Sequence, residues 1–189
     1  MNILKKIAKH TMLVTEHRWY VFKLSIKAGI PFRGLIHDLS KFSPTEFVES
    51  VKYYNGKRSP INVCIEEKGY SLAWLHHKGI NKHHLEYWEN CANGTREGAF
   101  LPYKYMAEMI CDKIAAGIAY NKNSWTTSQP LDYWLNIEKI KPTVVHPATN
   151  MYIETVFQNL AEHGIKATIN PKYLKQTYNN IAKEFNLTK

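Results

Sequence analysis

The chain has 189 residues, of which 44% are hydrophobic and 13% aromatic, so it suits one globular domain and intrinsic disorder is excluded as its main state. No apolar run approaches the roughly 20 residues that a membrane-spanning helix needs. The formal net charge of +9 favours an anionic partner such as a nucleotide, a phosphorylated metabolite, nucleic acid or a membrane surface. A well-solvated basic surface would carry the same charge.

The three cysteines, Cys64, Cys91 and Cys111, form no CxxC pair and cannot all pair with one another. They predict reduced thiols and argue against a zinc site built from thiolates. The N-terminal apolar stretch ends at residues 16–18, so no signal peptide is visible and we expect a cytoplasmic protein.

Helical periodicity dominates the chain from its first residues. Apolar side chains at helical spacing predict a helix over 3–28, ended by Gly29 and Pro31. A short helix over 32–39 should follow, and Ser43 with Glu46 forms the start signal of the next one. Further helices are predicted over 61–68, 71–78, 82–91, 103–121, 130–140, 148–163 and 171–185. No strand alternation exceeds four or five residues, so the predicted fold class is all-α.

Several of the nine histidines lie where a metal could be bound. His17 lies on the apolar face of the first helix. A histidine on such a face is more often a hydrogen-bonded core residue than a ligand. His37 and Asp38 are adjacent, and adjacent side chains on a helix point about 100° apart. Both could bind one metal only near a helix end or kink, and the short second helix offers such an end.

Asp112 shares one face of the 103–121 helix with Glu108, at a spacing of one turn. A carboxylate on that face would be partly buried, and a buried charge needs a partner or a metal. Pairing with a lysine is the alternative to metal binding.

Two histidine doublets, His76-His77 and His83-His84, flank a turn that contains Asn81. One histidine from each doublet can converge on the same point, and imidazole suits several transition metals. We favour His77 and His84, because their spacing to Asn81 would direct both the same way if the turn were helical. The choice within each doublet stays open, and a solvated basic turn is the alternative.

Read together, these elements resemble the HD superfamily of metal-dependent phosphohydrolases. That family has a histidine on one helix, an adjacent His-Asp pair on the next and an aspartate on a later helix, matched here by His17, His37-Asp38 and Asp112. The strings HDLSKFSPTEF, HHKGINKHH-LEYW and EMICD are also similar to those of a small family of bacterial and phage proteins. The resemblance spans about residues 10–122, with Ser40 standing where HD proteins often have glycine.

The resemblance implies a fold, a ligand set and a chemistry. It implies an HD-like helical core over 1–125, with 126–189 packed on it as a helical extension of the same domain. The implied ligands of one or two divalent ions (Mn, Fe, Zn, Ni or Co) are His17, His37, Asp38, His77, His84 and Asp112. The implied catalytic group comprises Asp38 as bridging or water-orienting carboxylate, Lys41 as phosphate contact and Glu108 as orienting residue.

The sequence therefore predicts a metal-dependent phosphohydrolase that acts on a nucleotide or another small phosphate ester through metal-activated water. Two other classes stay open. A non-catalytic, metal-stabilised module could use the positive charge to bind nucleic acid or another anionic partner, and a di-iron oxygenase could use the same ligands. The sequence leaves open the substrate, the metal, the number of ions and the oligomeric state.

Overall fold

The computed structural model describes residues 2–92, 94–141 and 143–187, and within these ranges the chain forms nine α-helices and one antiparallel hairpin. The elements are α1 (Ile3–Lys27), α2 (Pro31–Ile36), α3 (Pro44–Tyr53), α4 (Pro60–Lys68), α5 (Leu72–Ile80), β1 (Glu89–Ala92), β2 (Thr95–Gly98), α6 (Tyr103–Asn121), α7 (Gln129–Tyr133), α8 (Pro147–Thr168) and α9 (Pro171–Glu184). Short 3₁₀ turns lie at Leu39–Phe42, Leu85–Trp88 and Lys122–Ser124, and a π-helical segment at Trp134–Glu138 continues α7. The predicted all-α fold class is confirmed. Among the described residues, no helix has the length and apolar character that crossing a membrane requires.

Local start and stop signals set the ends of the first helices, as the sequence predicts. The hydroxyl of Ser43 accepts the backbone N–H of Glu46 and so satisfies a free donor at the start of α3. Gly29, at φ 74°, follows the last turn of α1, where the left-handed backbone suits glycine. The first helix therefore ends at a defined residue, and the chain then runs back along α1 as α2.

The helix predicted over 82–91 is wrong. Only a 3₁₀ turn forms at Leu85–Trp88, and β1 then pairs with β2 from Glu89 opposite Gly98 to Ala92 opposite Thr95. The reason is the Asn-Gly dipeptide at 93–94, a strong hairpin signal, and Gly94 has the positive φ (78°) that such a turn needs. The pairing between the strands replaces the hydrogen bonds that a helix would have formed.

One hydrophobic core connects the N-terminal and C-terminal parts of the chain. Its fully buried members include Val21 on α1, Ile110 on α6, Trp134 after α7, Phe157 on α8 and Leu174 on α9. The residues after 125 therefore supply one side of the same core. This packing fixes α1 and α6 side by side, and both helices contribute to the site below.

A close approach between α1 and α2 also positions the site. A Cβ atom added to Gly34 on α2 would lie 2.5 Å from Ser25 Cβ and 3.0 Å from the Phe22 backbone of α1. Because α2 ends directly before His37, this contact determines where the His37-Asp38 pair lies relative to α1.

Substitution at Gly34 tests this contact. We expect Gly34→Ala to lower the free energy of unfolding by about 1–3 kcal/mol, because the new methyl group must push the two helices apart. Gly79→Ala on α5 is the matched control, since it lies within a helix and its added Cβ would meet no atom within 4 Å beyond its chain neighbours and its own helix backbone. The control should be neutral or slightly stabilising, and equal melting temperatures for the two variants would contradict this account.

Candidate metal centre

Side chains from four parts of the fold meet between α1, α5 and α6. Two groups of their ligand atoms share Asp38, and in each group all atoms lie within 4.8 Å of one another. The first cluster consists of His17, His37, Asp38 and Asp112, and the second cluster consists of Asp38, His77, His83 and His84. Groups of this composition could hold metal ions. Asp38 belongs to both clusters.

The carboxylate of Asp38 divides its two oxygens between the clusters. Asp38 Oδ1 lies 3.4 Å from His77 Nε2 and 3.4 Å from His83 Nε2, in the second cluster. Asp38 Oδ2 lies 3.4 Å from His37 Nε2 and 4.0 Å from His17 Nε2, in the first cluster. The side chain is buried. This is the geometry of a carboxylate that bridges two positions.

The backbone at the end of α2 makes this placement possible. His37 leaves the helix at ψ 129°, and Asp38 has the left-handed conformation with φ 51°. Arg18 donates from Nε to the carbonyl of His37 (2.8 Å) and from a terminal nitrogen to that of Leu35 (3.0 Å). The helix predicted over 32–39 therefore ends at Ile36, and two adjacent side chains that would diverge on a helix point into the same cluster. Aspartate tolerates the left-handed conformation better than most residues, but it remains a strained one.

The hydrogen bonding of the clusters fits a metal. Buried polar atoms without a hydrogen-bond partner among the described residues include His17 Nε2, His37 Nε2, Asp38 Oδ1, His83 Nε2 and His84 Nε2. An unsatisfied buried donor or acceptor costs about 1–3 kcal/mol. Several of these atoms lie close together without the angles of a hydrogen bond, as His17 Nε2 does at 3.1 Å from Asp112 Oδ1. Atoms that converge in this way could bind a shared ion.

Glu108 lies one layer behind the ligands, where the sequence analysis expects an orienting residue. Its Oε1 lies 3.1 Å from His37 Nδ1 and 3.4 Å from His83 Nδ1, on the far side of both rings. Arg33 donates from Nε to Glu108 Oε2 at 2.7 Å. Burial opposes ionisation of Glu108, but His37 and His83 outweigh it and lower its pKa to about 2. Glu108, His37 and His83 form a third group of possible ligands, in which Glu108 is already paired with the Arg33 guanidinium.

Glu46 plays the corresponding role for the second cluster, and the sequence analysis missed it. Its Oε2 lies 2.7 Å from His77 Nδ1 and its Oε1 lies 2.7 Å from His76 Nδ1. In the sequence Glu46 is recognisable only as part of a helix start signal. Nothing local shows that α3 packs on α5 and buries this carboxylate against the first doublet.

Ser40 and Asn81 complete the support of His77. The Asn81 side chain donates to Ser40 Oγ (2.9 Å) and to the carbonyl of His77 (2.9 Å), so it stabilises the end of α5. Ser40 Oγ lies 3.3 Å from His77 Nδ1. Ser40 therefore contributes a hydroxyl group to this layer.

The structure brings together all six predicted ligands: His17, His37, Asp38, His77, His84 and Asp112. It places predicted Lys41 at the edge, with Nζ 2.6 Å from Asp38 Oδ2 and a side chain that is 28% exposed. In the first doublet, His77 reaches the cluster and His76 turns to Glu46.

In the second doublet both histidines reach the cluster, where the sequence analysis expects one. The expectation rests on a helical turn, but α5 ends at Ile80 and Asn81 has an extended backbone (φ −94°, ψ 99°). His83 and His84 therefore do not diverge as helix neighbours do, and their ring centroids lie 4.4 Å apart. The doublet itself was the sequence signal for His83.

Burial and charge act in opposite directions on the ionisable groups of the first cluster. Burial disfavours a charged His37, but Asp38, Asp112 and Glu108 outweigh it and raise the pKa of His37 to about 10. Burial also opposes ionisation of Asp38, yet His37 and Lys41 hold its pKa well below the ordinary value. The metal-free first cluster therefore contains carboxylates and at least one imidazolium at neutral pH.

The chain belongs to the family of unknown function DUF5662, whose model matches residues 6–159. The matched range contains every residue of the two clusters and ends within α8, so α9 lies outside it. No curated protein and no solved structure matches the chain significantly.

The two histidines of the first doublet provide a matched pair for a metal analysis. We expect His77→Ala to lower the metal content by about one ion per chain, because it removes a ligand atom of the second cluster. His76→Ala should leave the content unchanged, since His76 contacts Glu46 and belongs to neither cluster. Elemental analysis after dialysis measures both, and the reverse order of losses would show that the doublet has been assigned the wrong way round.

The raised pKa of His37 predicts a pH dependence of metal affinity. Below pH 10 the metal-free imidazole is protonated, and a ligand must be neutral, so each binding event displaces a proton. Affinity for the first cluster should therefore rise by about tenfold per pH unit across the neutral range. Calorimetry in two buffers of different ionisation enthalpy should detect about one proton released per ion bound. An affinity that does not change with pH would contradict a protonated His37.

Proposed function

We propose that the protein is a metal-dependent phosphohydrolase of the HD type, with two divalent ions and a nucleotide or another small phosphate ester as substrate. The observation that supports this most strongly is the position of Asp38 between two sets of histidines. One carboxylate shared by two N/O ligand sets is the arrangement of dinuclear hydrolytic centres, in which the two ions lie about 3.5–4 Å apart.

The donor chemistry supports a transition metal. The first cluster offers two imidazoles and two carboxylates, and the second offers three imidazoles and the shared carboxylate. Imidazole-rich sets suit Mn, Fe, Co, Ni or Zn, whereas magnesium and calcium prefer oxygen alone. When bound, such ions lower the pKa of a coordinated water and neutralise charge on a phosphoryl oxygen.

The exposure of the ligands indicates where a substrate enters. His37, His77 and His83 are buried, whereas the side chain of Asp112 is 17% exposed and that of Lys41 is 28% exposed. A phosphate ester would therefore approach from the side on which Asp112 and Lys41 lie. Of the other ligands, His84 is half-buried and the rest are buried.

Lys41 would bind the phosphoryl group. Its ammonium group lies 2.6 Å from the Asp38 carboxylate, which both clusters share. This positive charge therefore lies beside Asp38, on the partly exposed side of the clusters. An ammonium group acts as a point charge for phosphate oxygens. Glu46 and Glu108 would orient imidazoles from behind, at His77 Nδ1 and His37 Nδ1. They contact no substrate, so Glu108 would be a positioning residue rather than a catalytic one.

The order of the motifs also supports the HD assignment. His17 lies on α1, His37-Asp38 follows α2, and Asp112 lies on α6, which is the order that the superfamily shows. The histidines of the second cluster come from the interval between Asp38 and Asp112.

A phosphatase assay on the metal-loaded protein tests the proposal. We expect hydrolysis of at least one member of a panel of nucleoside mono-, di- and triphosphates and an aryl phosphate. Lys41→Met should lower kcat/KM by roughly 100- to 1,000-fold, the usual loss when one electrostatic contact to the transition state is removed. Metal content should not change. Lys166→Met, on the exposed surface of α8, is the matched control and should keep full activity.

Two results would contradict the proposal. Inactivity across the whole panel with two ions bound would favour a binding module. Bound iron with a mixed-valence EPR signal and oxygen consumption would favour an oxygenase.

A further inference from the structure

Three cationic side chains converge on the ring of Tyr105, outside the two clusters. The guanidinium carbon of Arg33 lies 4.9 Å from the ring centroid, Lys104 Nζ lies 4.9 Å from it and Lys82 Nζ lies 5.9 Å from it. These residues come from α2, from α6 and from the turn after α5. Their convergence is therefore a product of the tertiary fold and not of one basic stretch of sequence.

The positive charge at this point is only partly compensated. Glu108 neutralises Arg33 through a direct ion pair. For Lys82 and Lys104, no carboxylate partner is found in the part of the chain that the structure describes. Like charges held near one another repel, so an anion bound beside Lys82 and Lys104 would be stabilised by the charge of both.

Aromatic side chains hold this cation group in place. The indole N–H of Trp88 donates to the carbonyl of Lys82 at 2.7 Å, which fixes the backbone that carries this lysine. The Trp88 ring lies 5.8 Å from the Tyr105 ring, and Lys82 Nζ lies 5.5 Å from the Tyr87 ring. Lys82 and Tyr105 are half-buried, whereas Lys104 is exposed, so the group is open to a ligand on one side.

We propose that Arg33, Lys82 and Lys104 form a binding site for a phosphoryl group. The two ammonium groups would supply the positive charge, and the guanidinium nitrogen that is not paired with Glu108 would donate a further hydrogen bond. This suits the several oxygens of a phosphoryl group, each of which can accept a hydrogen bond from a cation. The tyrosine ring forms the floor against which the cations are held.

This site is separate from the proposed metal centre and goes beyond the proposed function. Tyr105 precedes Asp112 by two helical turns, which is roughly 10 Å along α6. Buried Glu108 lies between them and contacts Arg33 on one side and His37 on the other. The phosphoryl group could belong to a free ligand or to a second phosphate of the molecule bound at the metal centre.

Inorganic phosphate tests the site in the intact, metal-free protein. With chelator present, phosphate should shift the NMR signal of the Trp88 indole N–H saturably, the signal being assigned with Trp88→Phe. The double variant Lys82→Gln, Lys104→Gln should bind phosphate at least tenfold more weakly, and Lys166→Gln should bind it like the wild type. Melting curves show whether the double variant is folded. A signal that does not move, or equal affinities for wild type and double variant, would overturn the proposal.

A second arm distinguishes the two sources of the phosphoryl group. For a free ligand, the affinity for phosphate should be the same with chelator and with metal. If the phosphoryl group belongs to the substrate, a nucleoside diphosphate should bind more tightly when metal is present. The double variant should then lose this metal-dependent increase in affinity. Either result supports the site. A nucleoside diphosphate that binds the double variant as tightly as wild type in both conditions would overturn it.

Discussion

The buried carboxylate of Asp38 is the constraint on which the rest of the site depends. Removing one ion from water costs several kcal/mol, so an ionised side chain in the protein interior needs close compensation. Lys41 supplies part of it at Oδ2, and imidazoles approach both oxygens. The left-handed backbone that directs this side chain inward is a further cost. This local structure persists despite both costs because the surrounding parts of the fold, including Arg18 and α6, hold it in place.

The two clusters are built alike, and each is held from behind by a buried carboxylate. Glu108 contacts Nδ1 of His37, and Glu46 contacts Nδ1 of His77. The Nε2 atoms of both rings therefore face Asp38. Such support fixes the ring orientation of a metal-binding histidine and increases its basicity. The supports differ in charge, since Arg33 neutralises Glu108, whereas in the part of the chain that the structure describes no lysine or arginine pairs with Glu46. Because a metal bound only by the folded state stabilises it, the centre and the helices around it would gain stability together.

His17, Asp38 and Asp112 are recognisable as candidate ligands because helical spacing and short motifs are local properties. The pairs that hold them are not local, since Arg33 and Glu108 are 75 residues apart and Glu46 and His77 are 31 apart. Their roles depend on which helices pack together, and no spacing rule gives that. The preference for His84 over His83 depends on a helical turn after α5, whereas the turn begins with an extended residue.

The central claim is that Asp38 lies between two ions, and an anomalous diffraction experiment on metal-loaded crystals tests it most directly. Data collected on both sides of the absorption edge of the bound metal locate each ion without reference to its ligands. The account predicts two peaks about 3.5–4 Å apart, one on each side of the Asp38 carboxylate. A single peak in either cluster would contradict the dinuclear centre. A peak between Glu108 and the Nδ1 atoms of His37 and His83 would contradict the assignment of Glu108 as a support.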